Sequence, residues 1–395
     1  MIRETACRLR HKSIKIGVVT VNLTGKRPRS GMRAAALLLA LLLLSSCGNQ
    51  AEEPPEESET PSPTVSGSPS PSPSESEPEP SPTPAGPANP LTGEAMEDED
   101  QIKARPVAVM LNNITAALPQ QGNGGADIIY EVIAEGGITR MLGVFQSLDG
   151  VDIIGSVRSS RPYFVELAMG MDAVYVHAGG SEDAYSCMSS WNTDHMDGVR
   201  GVYSGNGLFW RSRNRIAGKS YAAEHSLITS GESIQQHLAD SGFRLEHNEG
   251  WTSPMTFTED GTPEDGSPAK TVTVSHYGKK ATLFRYDEAA KKYLVEEYGG
   301  AYIDGNTGEQ IAVTNVLALR ARMADMQDGY GHVSISLDKG DGWFACGGKV
   351  IPITWKKGSY SDPLTYYTQD GKPLALGQGK TYVNIIPATA EVACE

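Results

Sequence analysis

The sequence predicts an α/β domain with a mixed sheet, residues 89–245, followed by a β-rich domain, residues 250–392, both preceded by a disordered tether. Three observations predict this. Apolar strand-like segments alternate with helical segments in the first region. Short alternating strands separated by glycine turns fill the second. Residues 48–88 consist of Pro, Ser, Glu and Thr with almost no apolar side chains, too few to offset the entropy of ordering.

Several segments of the first domain have strand character because they are short, rich in Val, Ile, Leu or Met, and flanked by turn residues. Residues 126–134 are equally apolar and are compatible with either a helix or a strand. The segments that the pattern predicts as strands are 105–111, 139–146, 151–157 and 172–177. Their alternation with helices predicts parallel pairing within the sheet.

Three helices are predicted from their starts. Ser160 is a candidate N-cap for the first, and Pro162 suits its first turn. Ser181 is the candidate cap of the second, with two acidic residues directly after it. Residues 229–232 fit a capping box, which opens a third helix that ends at Gly242.

The second domain is rich in aromatic residues, which have two interpretations. They could form a stacking face for carbohydrate, or they could fill the core and pair across strands. Adjacent strand residues point to opposite faces, so Tyr366 and Tyr367 cannot serve one surface. The core interpretation is therefore favoured for most of the set, which comprises Trp343, Phe344, Trp355, Tyr360, Tyr366, Tyr367 and Tyr382.

Residues 1–47 have the pattern of a signal sequence. A basic segment precedes the apolar run 34–44, which is too short to span a bilayer as a helix. The small residues before Cys47 resemble a bacterial lipobox, which implies lipidation of Cys47 and cleavage just before it. The expected location is the extracytoplasmic face of the cell membrane, through that lipid anchor. Residues before about 26 precede a complete signal, so a downstream start such as Met32 is an alternative.

Charge and cysteine content exclude some classes of partner. The chain has a formal net charge of −14, and residues 1–47 are basic, so the remainder is strongly acidic. Such a surface gives no electrostatic reason to bind nucleic acid. Cys187, Cys346 and Cys394 are an odd number, so buried free thiols are favoured over a Cys346–Cys394 bridge. No cysteine or histidine spacing indicates a metal, and no cofactor is expected.

Two consecutive strand-to-helix turns form the candidate ligand site. Ligands of open α/β sheets bind beyond the carboxyl ends of strands, where helix amino termini present free N–H groups. Two arginines there could clamp a carboxylate or phosphate, and nearby glutamate would suit a mixed-charge ligand such as a peptide stem or an amino sugar. The candidate residues are Arg158, Ser159, Arg161, His177, Gly179, Gly180, Ser181, Glu135 and Arg140.

Each candidate also has a structural interpretation. Ser160 and Ser181 are ordinary caps in that case, and His177 is a satisfied core histidine. Arg158 and Arg161 would then form structural ion pairs with glutamates. Convergence of Arg158, Arg161, His177 and Glu135 around an open cleft would favour a ligand site, and burial of both arginines in ion pairs would favour a partner surface.

Several long motifs resemble a known family. NPLTGE at 89–94, RPVAVMLNN at 105–113, ADIIYEVIAEGGITRM at 126–141, GSVRSSRPYFVELA at 155–168 and HAGGS at 177–181 are similar to the YerB-like family of extracytoplasmic lipoproteins. The segment GGKVIPITWKKGSYSDPLTYYTQDGKPLALGQGKTYVNIIP is similar to that family's second domain. The resemblance implies an α/β domain followed by a β-rich one. It supplies no catalytic residues, because the family is one of unknown function.

We therefore expect a lipid-anchored protein that binds or scaffolds a cell-envelope component or an envelope enzyme. The sequence has no Gly-x-Ser-x-Gly elbow, no Ser-x-x-Lys motif and no His-Glu-x-x-His helix. The alternative is a hydrolase of cell-wall material with Glu135 or His177 as acid and base. A glycosidase pair formed by Glu131 and Glu135 is a further alternative, whose separation the sequence does not define. The oligomeric state is not predicted.

Overall fold

A computed structural model describes residues 86–278 and 280–395. The predicted signal, Cys47 and nearly all of the predicted tether lie outside the described residues. None of the helices in the described part is long and apolar enough to cross a bilayer.

The first half of the described chain alternates strands with short helices, as the sequence predicts. Residues 126–134, which were compatible with either element, contain a strand. The elements are α1 (Glu99–Lys103), β1 (Val107–Asn113), β2 (Ile128–Ile133), β3 (Thr139–Phe145), β4 (Ile153–Gly155), α2 (Pro162–Gly170), β5 (Val174–His177), α3 (Glu182–Ser190), β6 (His195–Asp197), β7 (Trp210–Arg211), β8 (Leu227–Ser230) and α4 (Gly231–Ala239). Single 3₁₀ turns lie at Thr115–Ala117, Asn123–Gly125, Glu135–Gly137 and Ala223–His225.

The second half is built from strands, which confirms the predicted β-rich region. These strands are β9 (Thr256–Thr258), β10 (Ser267–Pro268), β11 (Thr271–Tyr277), β12 (Lys280–Asp287), β13 (Lys292–Glu297), β14 (Gly300–Ala301), β15 (Ala312–Val313), β16 (Asn315–Asp325), β17 (Val333–Ser336), β18 (Lys339–Cys346), β19 (Lys349–Lys356), β20 (Thr365–Thr368), β21 (Ala375–Gly377), β22 (Thr381–Pro387) and β23 (Val392–Cys394).

The largest sheet contains strands from both halves of the chain. Its order is β10-β19-β18-β16-β22-β2-β3-β1-β5-β6, with β17 and β20 paired to β16 and β19 outside that path. β1 is antiparallel to β3 and parallel to β5. β22 lies parallel to both β2 and β16. The sheet is therefore mixed, and it continues across the predicted domain boundary.

Three smaller sheets complete the structure. A six-stranded antiparallel sheet has the order β14-β13-β12-β11-β23, with β15 paired to β13. A three-stranded sheet has the order β4-β8-β7, and β9 pairs with β21. The strand predicted at 151–157 corresponds to β4. It belongs to the three-stranded sheet and not to the large sheet.

Strand alternation divides the apolar residues of the central strands between two cores. Tyr130 and Leu142 share one core with Phe164 of α2. Ile129 and Met141 share the other with Phe284 of β12. Helices α2 and α3 therefore lie against one face of the large sheet, and the six-stranded sheet lies against the other.

Two helix starts differ from the prediction. The N-cap of α2 is Arg161, whose side chain makes no capping bond, while Ser160 accepts a hydrogen bond from the Tyr175 hydroxyl at 2.8 Å. Proline in the first turn lets α2 begin without a side-chain cap because proline has no N–H to satisfy. For α4 the cap is Ser230, which accepts from Ser233 N, and the helix ends at Ala239. The predicted cap Ser181 of α3 is confirmed.

The aromatic residues of the second half lie mainly in the core. Phe344, Trp355, Tyr366 and Tyr382 are all buried, as the core interpretation expects. The thiols of Cys346 and Cys394 are not joined in a disulfide.

A cluster of buried polar side chains joins the large sheet to the six-stranded sheet. Glu131 of β2 is fully buried, and its Oε1 lies 2.8 Å from Nζ of Lys280 on β12. Lys280 also pairs with Glu297 of β13. We call these three residues, with their hydrogen-bond donors, the Glu131–Lys280 cluster. The donors to the Glu131 carboxylate are Asn113, Thr139, Thr282 and Tyr382, at 2.6–2.9 Å.

The protonation states in the Glu131–Lys280 cluster depend on burial and on the charges of the neighbouring side chains. Burial and the adjacent Glu131 raise the pKa of Glu297 to about 8. Burial also acts to raise the pKa of Glu131, but His276 and Lys280 outweigh it and hold that pKa well below its ordinary value. Burial acts to lower the pKa of Lys280, but the two carboxylates outweigh it and raise that pKa. At neutral pH the Glu131 anion therefore faces the Lys280 cation, and Glu297 is mostly protonated.

We expect Glu131→Gln to lower the free energy of unfolding by about 3 kcal/mol at pH 7, because the buried Lys280 ammonium loses one of its two carboxyl partners and four buried donors lose a charged acceptor. Urea denaturation of the variant and the unchanged protein measures the difference. A loss below about 0.5 kcal/mol would contradict the assigned role of this pair.

Glu297→Gln is the matched control with a different pH dependence. The folded state keeps the Glu297 proton up to about pH 8, whereas the unfolded state loses it near the ordinary value of 4.5. The contribution of Glu297 to stability therefore falls as the pH rises through that window. We expect the substitution to reduce this decline, measured by urea denaturation at pH 5 and pH 8. An equal decline of stability in both proteins would contradict the raised pKa of Glu297 in the folded state.

Candidate functional site: an arginine cluster beside two turns

The two predicted turns lie side by side and are hydrogen-bonded to each other. Ala178 N donates to Arg158 O at 3.0 Å, and Ser160 N donates to Gly179 O at 2.8 Å. Ser181 N completes the pairing with Ser160 O at 3.3 Å. A positive φ of 76° at Gly179 lets the chain turn directly after β5. The predicted juxtaposition of these turns is therefore present, although their strands belong to different sheets.

An arginine cluster, formed by Arg140, Arg158, Arg161 and Glu135, occupies one side of these turns. Glu135 pairs with Arg140 and, at 2.7 Å, with Arg161. Arg140 also donates to Ser159 O at 2.9 Å. The side chains of Arg140 and Arg161 are 3% and 9% exposed, and that of Glu135 is 25% exposed. These contacts fix the two buried guanidinium groups in place.

Arg158 differs from the other two arginines because it is half-exposed. Its Nη1 donates to the carbonyl oxygen of Glu224 at 2.6 Å. Among the residues that the structure describes, no carboxylate lies within ion-pairing distance of Arg158. The Nε atoms of Arg140, Arg158 and Arg161 are buried and have no hydrogen-bond acceptor in the described part of the chain.

The electrostatics of the arginine cluster favour an additional anion. Burial acts to raise the pKa of Glu135, but Arg140 and Arg161 outweigh it and lower that pKa. Burial and the neighbouring Arg161 lower the pKa of Arg140 to about 10. Burial also lowers the pKa of Arg158. Glu135 pairs with two guanidinium groups, and Arg158 adds a third positive charge on which Glu135 and Glu224 act only at longer range, which leaves a local excess of positive charge.

His177 lies in a separate cluster. Its Nδ1 is 2.9 Å from Gly179 O, and its Nε2 is 3.0 Å from Nδ1 of His195. Asp197 accepts from Gly179 N at 2.7 Å and from the Tyr185 hydroxyl at 2.6 Å. Both ring nitrogens of His177 are thus engaged, and burial lowers its pKa to about 4. The predicted residues form two neighbouring clusters, not one ring of side chains around a cleft.

Glu131 does not belong to either cluster. On β3, Thr139 contacts Glu131, whereas Arg140 projects to the opposite face of the sheet. The glutamates proposed as a glycosidase pair, Glu131 and Glu135, therefore have different partners: Lys280 for the first and arginines for the second. Glu135 is held as an anion by its arginines, which is unfavourable for a general acid.

Three residues beside Arg158 were not predicted from the sequence. The 3₁₀ turn at Ala223–His225 brings the Glu224 carbonyl to Arg158 and His225 to Asn112, with Asn112 Nδ2 and His225 Nδ1 3.2 Å apart. The signal available was the polar pair Glu224–His225 directly before the apolar strand β8. Its pairing with Arg158, 66 residues earlier, depends on the tertiary fold.

No group of three or more His, Cys, Asp or Glu residues in the described ranges is arranged to hold a metal ion. None of the predicted site residues lines either of two surface clefts in the described part of the chain. One is formed by residues 88–103 and 246–257, and the other by residues 258–265 with parts of 344–375.

The fold and the arginine cluster define a β-rich protein with helices on one face of a mixed sheet and a candidate anion site beside them. Two family models match it: the N-terminal domain of the family described as protein of unknown function (DUF3048), over residues 91–244, and its C-terminal domain, over residues 271–383. The chain therefore belongs to this family.

The YerB protein of Bacillus subtilis, matched both by sequence and by its crystal structure, agrees with this assignment and confirms the predicted resemblance. "Putative lipoprotein YerB" of Bacillus subtilis (strain 168) is 34% identical over 304 residues, which are 75% of this chain and 86% of the relative. The crystal structure of the YerB protein from Bacillus subtilis is 30% identical, with a TM-score of 0.66, over 78% of this chain and 99% of that chain.

We expect His177 to remain neutral down to about pH 4, because burial lowers its pKa from 6.5 to about that value. Between these values the unfolded state binds a proton that the folded state does not, so the contribution of His177 to stability falls as the pH drops from 6.5 to 4. The Cε1 proton shift of His177, followed by NMR, measures the midpoint. A midpoint near 6.5 would show that the ring is accessible and available for acid–base chemistry.

Proposed function

We propose that this protein is a lipid-anchored envelope protein that binds an anionic group of a cell-envelope component at the arginine cluster. The anchor is Cys47, in a segment that resembles a lipobox. Two findings support this location: the signal-like sequence and the name of the Bacillus relative, which is that of a lipoprotein. The site then lies on the outer side of the membrane, and the Pro-rich segment 48–88 connects it to the anchor.

The observation that carries the proposal is a local excess of positive charge: Arg140 and Arg161 share the Glu135 carboxylate, and Arg158 has no ion-pair partner in the described residues. Arg140 and Arg161 are buried and fixed by Glu135 and by main-chain carbonyls. Arg158 is half-exposed and binds only a main-chain carbonyl in the described residues. A charged group that is already positioned loses little entropy when a ligand binds. Arg158 is therefore the residue that contacts the ligand, and Arg140 and Arg161 supply the surrounding field.

The ligand chemistry follows from the guanidinium group. Arginine binds carboxylate and phosphate groups in a bidentate manner, with paired N–H donors. A carboxylate from the peptide stem of the cell wall and a phosphate from an anionic wall polymer share this chemistry. Binding of either one would hold the lipoprotein against the wall and would suit a scaffold for envelope enzymes.

The hydrolase alternative receives less support from the geometry. His177 and Glu135 lie in different clusters, both nitrogens of His177 are engaged, and Glu135 is paired with two arginines. A general acid or base needs a pKa near the working pH and a proton within reach of the substrate. Neither residue meets both conditions.

We expect Arg158→Gln to weaken binding of the anionic ligand by about tenfold to a hundredfold, the range for a hydrogen bond to a charged group. Calorimetric titration of the full chain is the measurement, with a muramyl tripeptide and with glycerol phosphate oligomers as probes. The two probes separate the carboxylate source from the phosphate source.

Arg322→Gln is the matched control, because it removes the same charge from an exposed side chain that is 79% accessible. It should leave the affinity unchanged. Equal affinities of the Arg158→Gln variant and the unchanged protein would contradict the proposal. Absence of binding to both probes at millimolar concentration would contradict it as well.

A further inference from the structure

We infer that a second site, the cleft between residues 88–103 and 246–257, binds a saccharide unit. The cleft has a volume of about 770 Å³, which suits a small ligand. It lies where the N-terminal connection meets the segment between the two family domains. None of the residues of the arginine cluster lines it, so this inference is independent of the function proposed above.

The two walls of the cleft are joined by hydrogen bonds, so the cleft exists before a ligand arrives. Arg105 N donates to Leu245 O at 2.8 Å, and His247 N donates to Lys103 O at 2.9 Å. On the floor, the Ser253 hydroxyl donates to Pro90 O at 2.6 Å. Preformed clefts of this kind are typical of small-molecule sites.

A buried histidine with one unpaired nitrogen is the feature that indicates a ligand. The side chain of His247 is 5% exposed, and its Nδ1 lies 2.7 Å from the Asp172 carboxylate. Burial acts to raise the pKa of Asp172, but His247 and Arg244 outweigh it and lower that pKa to about 2. Asp172 is therefore an anion, and His247 Nδ1–H donates to it.

With the imidazole proton on Nδ1, Nε2 has a lone pair that can accept a hydrogen bond. That Nε2 is buried and has no partner in the described residues. Leaving a buried polar atom unpaired is destabilising. Because His247 lines the cleft, a ligand hydroxyl or amide N–H can supply the missing donor.

An aromatic ring stands directly beside this acceptor. Trp251 stacks on the His247 imidazole, with ring centroids 3.5 Å apart and planes 1° from parallel. The chain returns to this position because Gly250 has a φ of 81°, and because Trp251 N donates to Asn248 O at 3.0 Å. Trp251 is half-buried and lines the cleft. It can therefore offer an apolar surface beside a polar acceptor.

The charges around the cleft decide between classes of ligand. Glu246 and Glu249 line it, against a single cation, Lys103. Carboxylates accept hydrogen bonds from hydroxyl and ammonium groups and repel anions. An aromatic face beside several acceptors fits a ring that has an apolar face and hydroxyl groups at its edge. A neutral saccharide or an amino sugar has that combination, and an anionic peptide or phosphate does not.

The test is calorimetric titration of the full chain with chitotriose, the linear trimer of N-acetylglucosamine. We expect saturable binding that Trp251→Ala weakens by about tenfold or more, because the variant removes the aromatic face. His247→Phe keeps a ring against Trp251 and removes the acceptor, and a similar loss is expected. Thermal unfolding of each variant verifies that it is folded.

Trp210→Ala is the matched control, since Trp210 is exposed and lies outside the cleft. Its affinity should equal that of the unchanged protein. Arg158→Gln should also leave chitotriose binding unchanged, which separates this site from the arginine cluster. The inference is overturned if chitotriose does not bind at 10 mM, if Trp251→Ala binds it equally well, or if triproline binds in its place.

Discussion

The ion pair between Glu131 and Lys280 is the contact on which the arrangement of the two sheets depends. It is buried where β2 of the large sheet faces β12 of the six-stranded sheet. A buried charge is tolerated only when it is paired and hydrogen-bonded, and the Glu131 carboxylate meets this condition with Lys280 and four donors. Since these partners come from both halves of the chain, the pair fixes the register of one half against the other.

The same strands place the candidate site on the opposite face. Successive residues of a strand point in opposite directions, so Thr139 serves the Glu131–Lys280 cluster and Arg140 serves the arginine cluster. One face of β3 is closed by the second sheet. The other face reaches the turn that carries Ser159 and Arg161. A single strand therefore has a structural role on one side and a proposed binding role on the other.

Local patterns in the sequence predicted most elements of the fold but not their assembly. Strand periodicity and the Ser181 cap depend on neighbouring residues, and these predictions were correct. The pairing of β22 with β2 joins residues about 250 positions apart, as in Glu131↔Asn384, and no local pattern defines such a contact. Ser160 failed as a cap for a related reason: its hydroxyl is taken by Tyr175 from a neighbouring strand.

For the candidate site, the sequence likewise predicted the local elements but not all of the contacts between them. Sequence order showed that the turns at 158–161 and 177–181 follow strands and precede helices, and the structure places them together. It did not show that His177 would find its partners in His195 and Gly179 and so lie apart from the arginines. The cleft at Trp251 could have been suspected, because a tryptophan in the polar stretch HNEGWTSP has no apolar neighbours in sequence. The unpaired nitrogen of His247 is visible only in the folded structure.

The central claim is that the arginine cluster receives an anion from the cell envelope. The most direct test is NMR of the arginine Nε–H groups in the full chain, with signals assigned by single Arg→Lys substitutions. We expect the Nε–H signals of Arg140, Arg158 and Arg161 to shift together and saturate when the anionic wall fragment is added, while that of Arg322 does not move. Binding of the fragment with no shift at these three arginines would place recognition elsewhere and contradict the account.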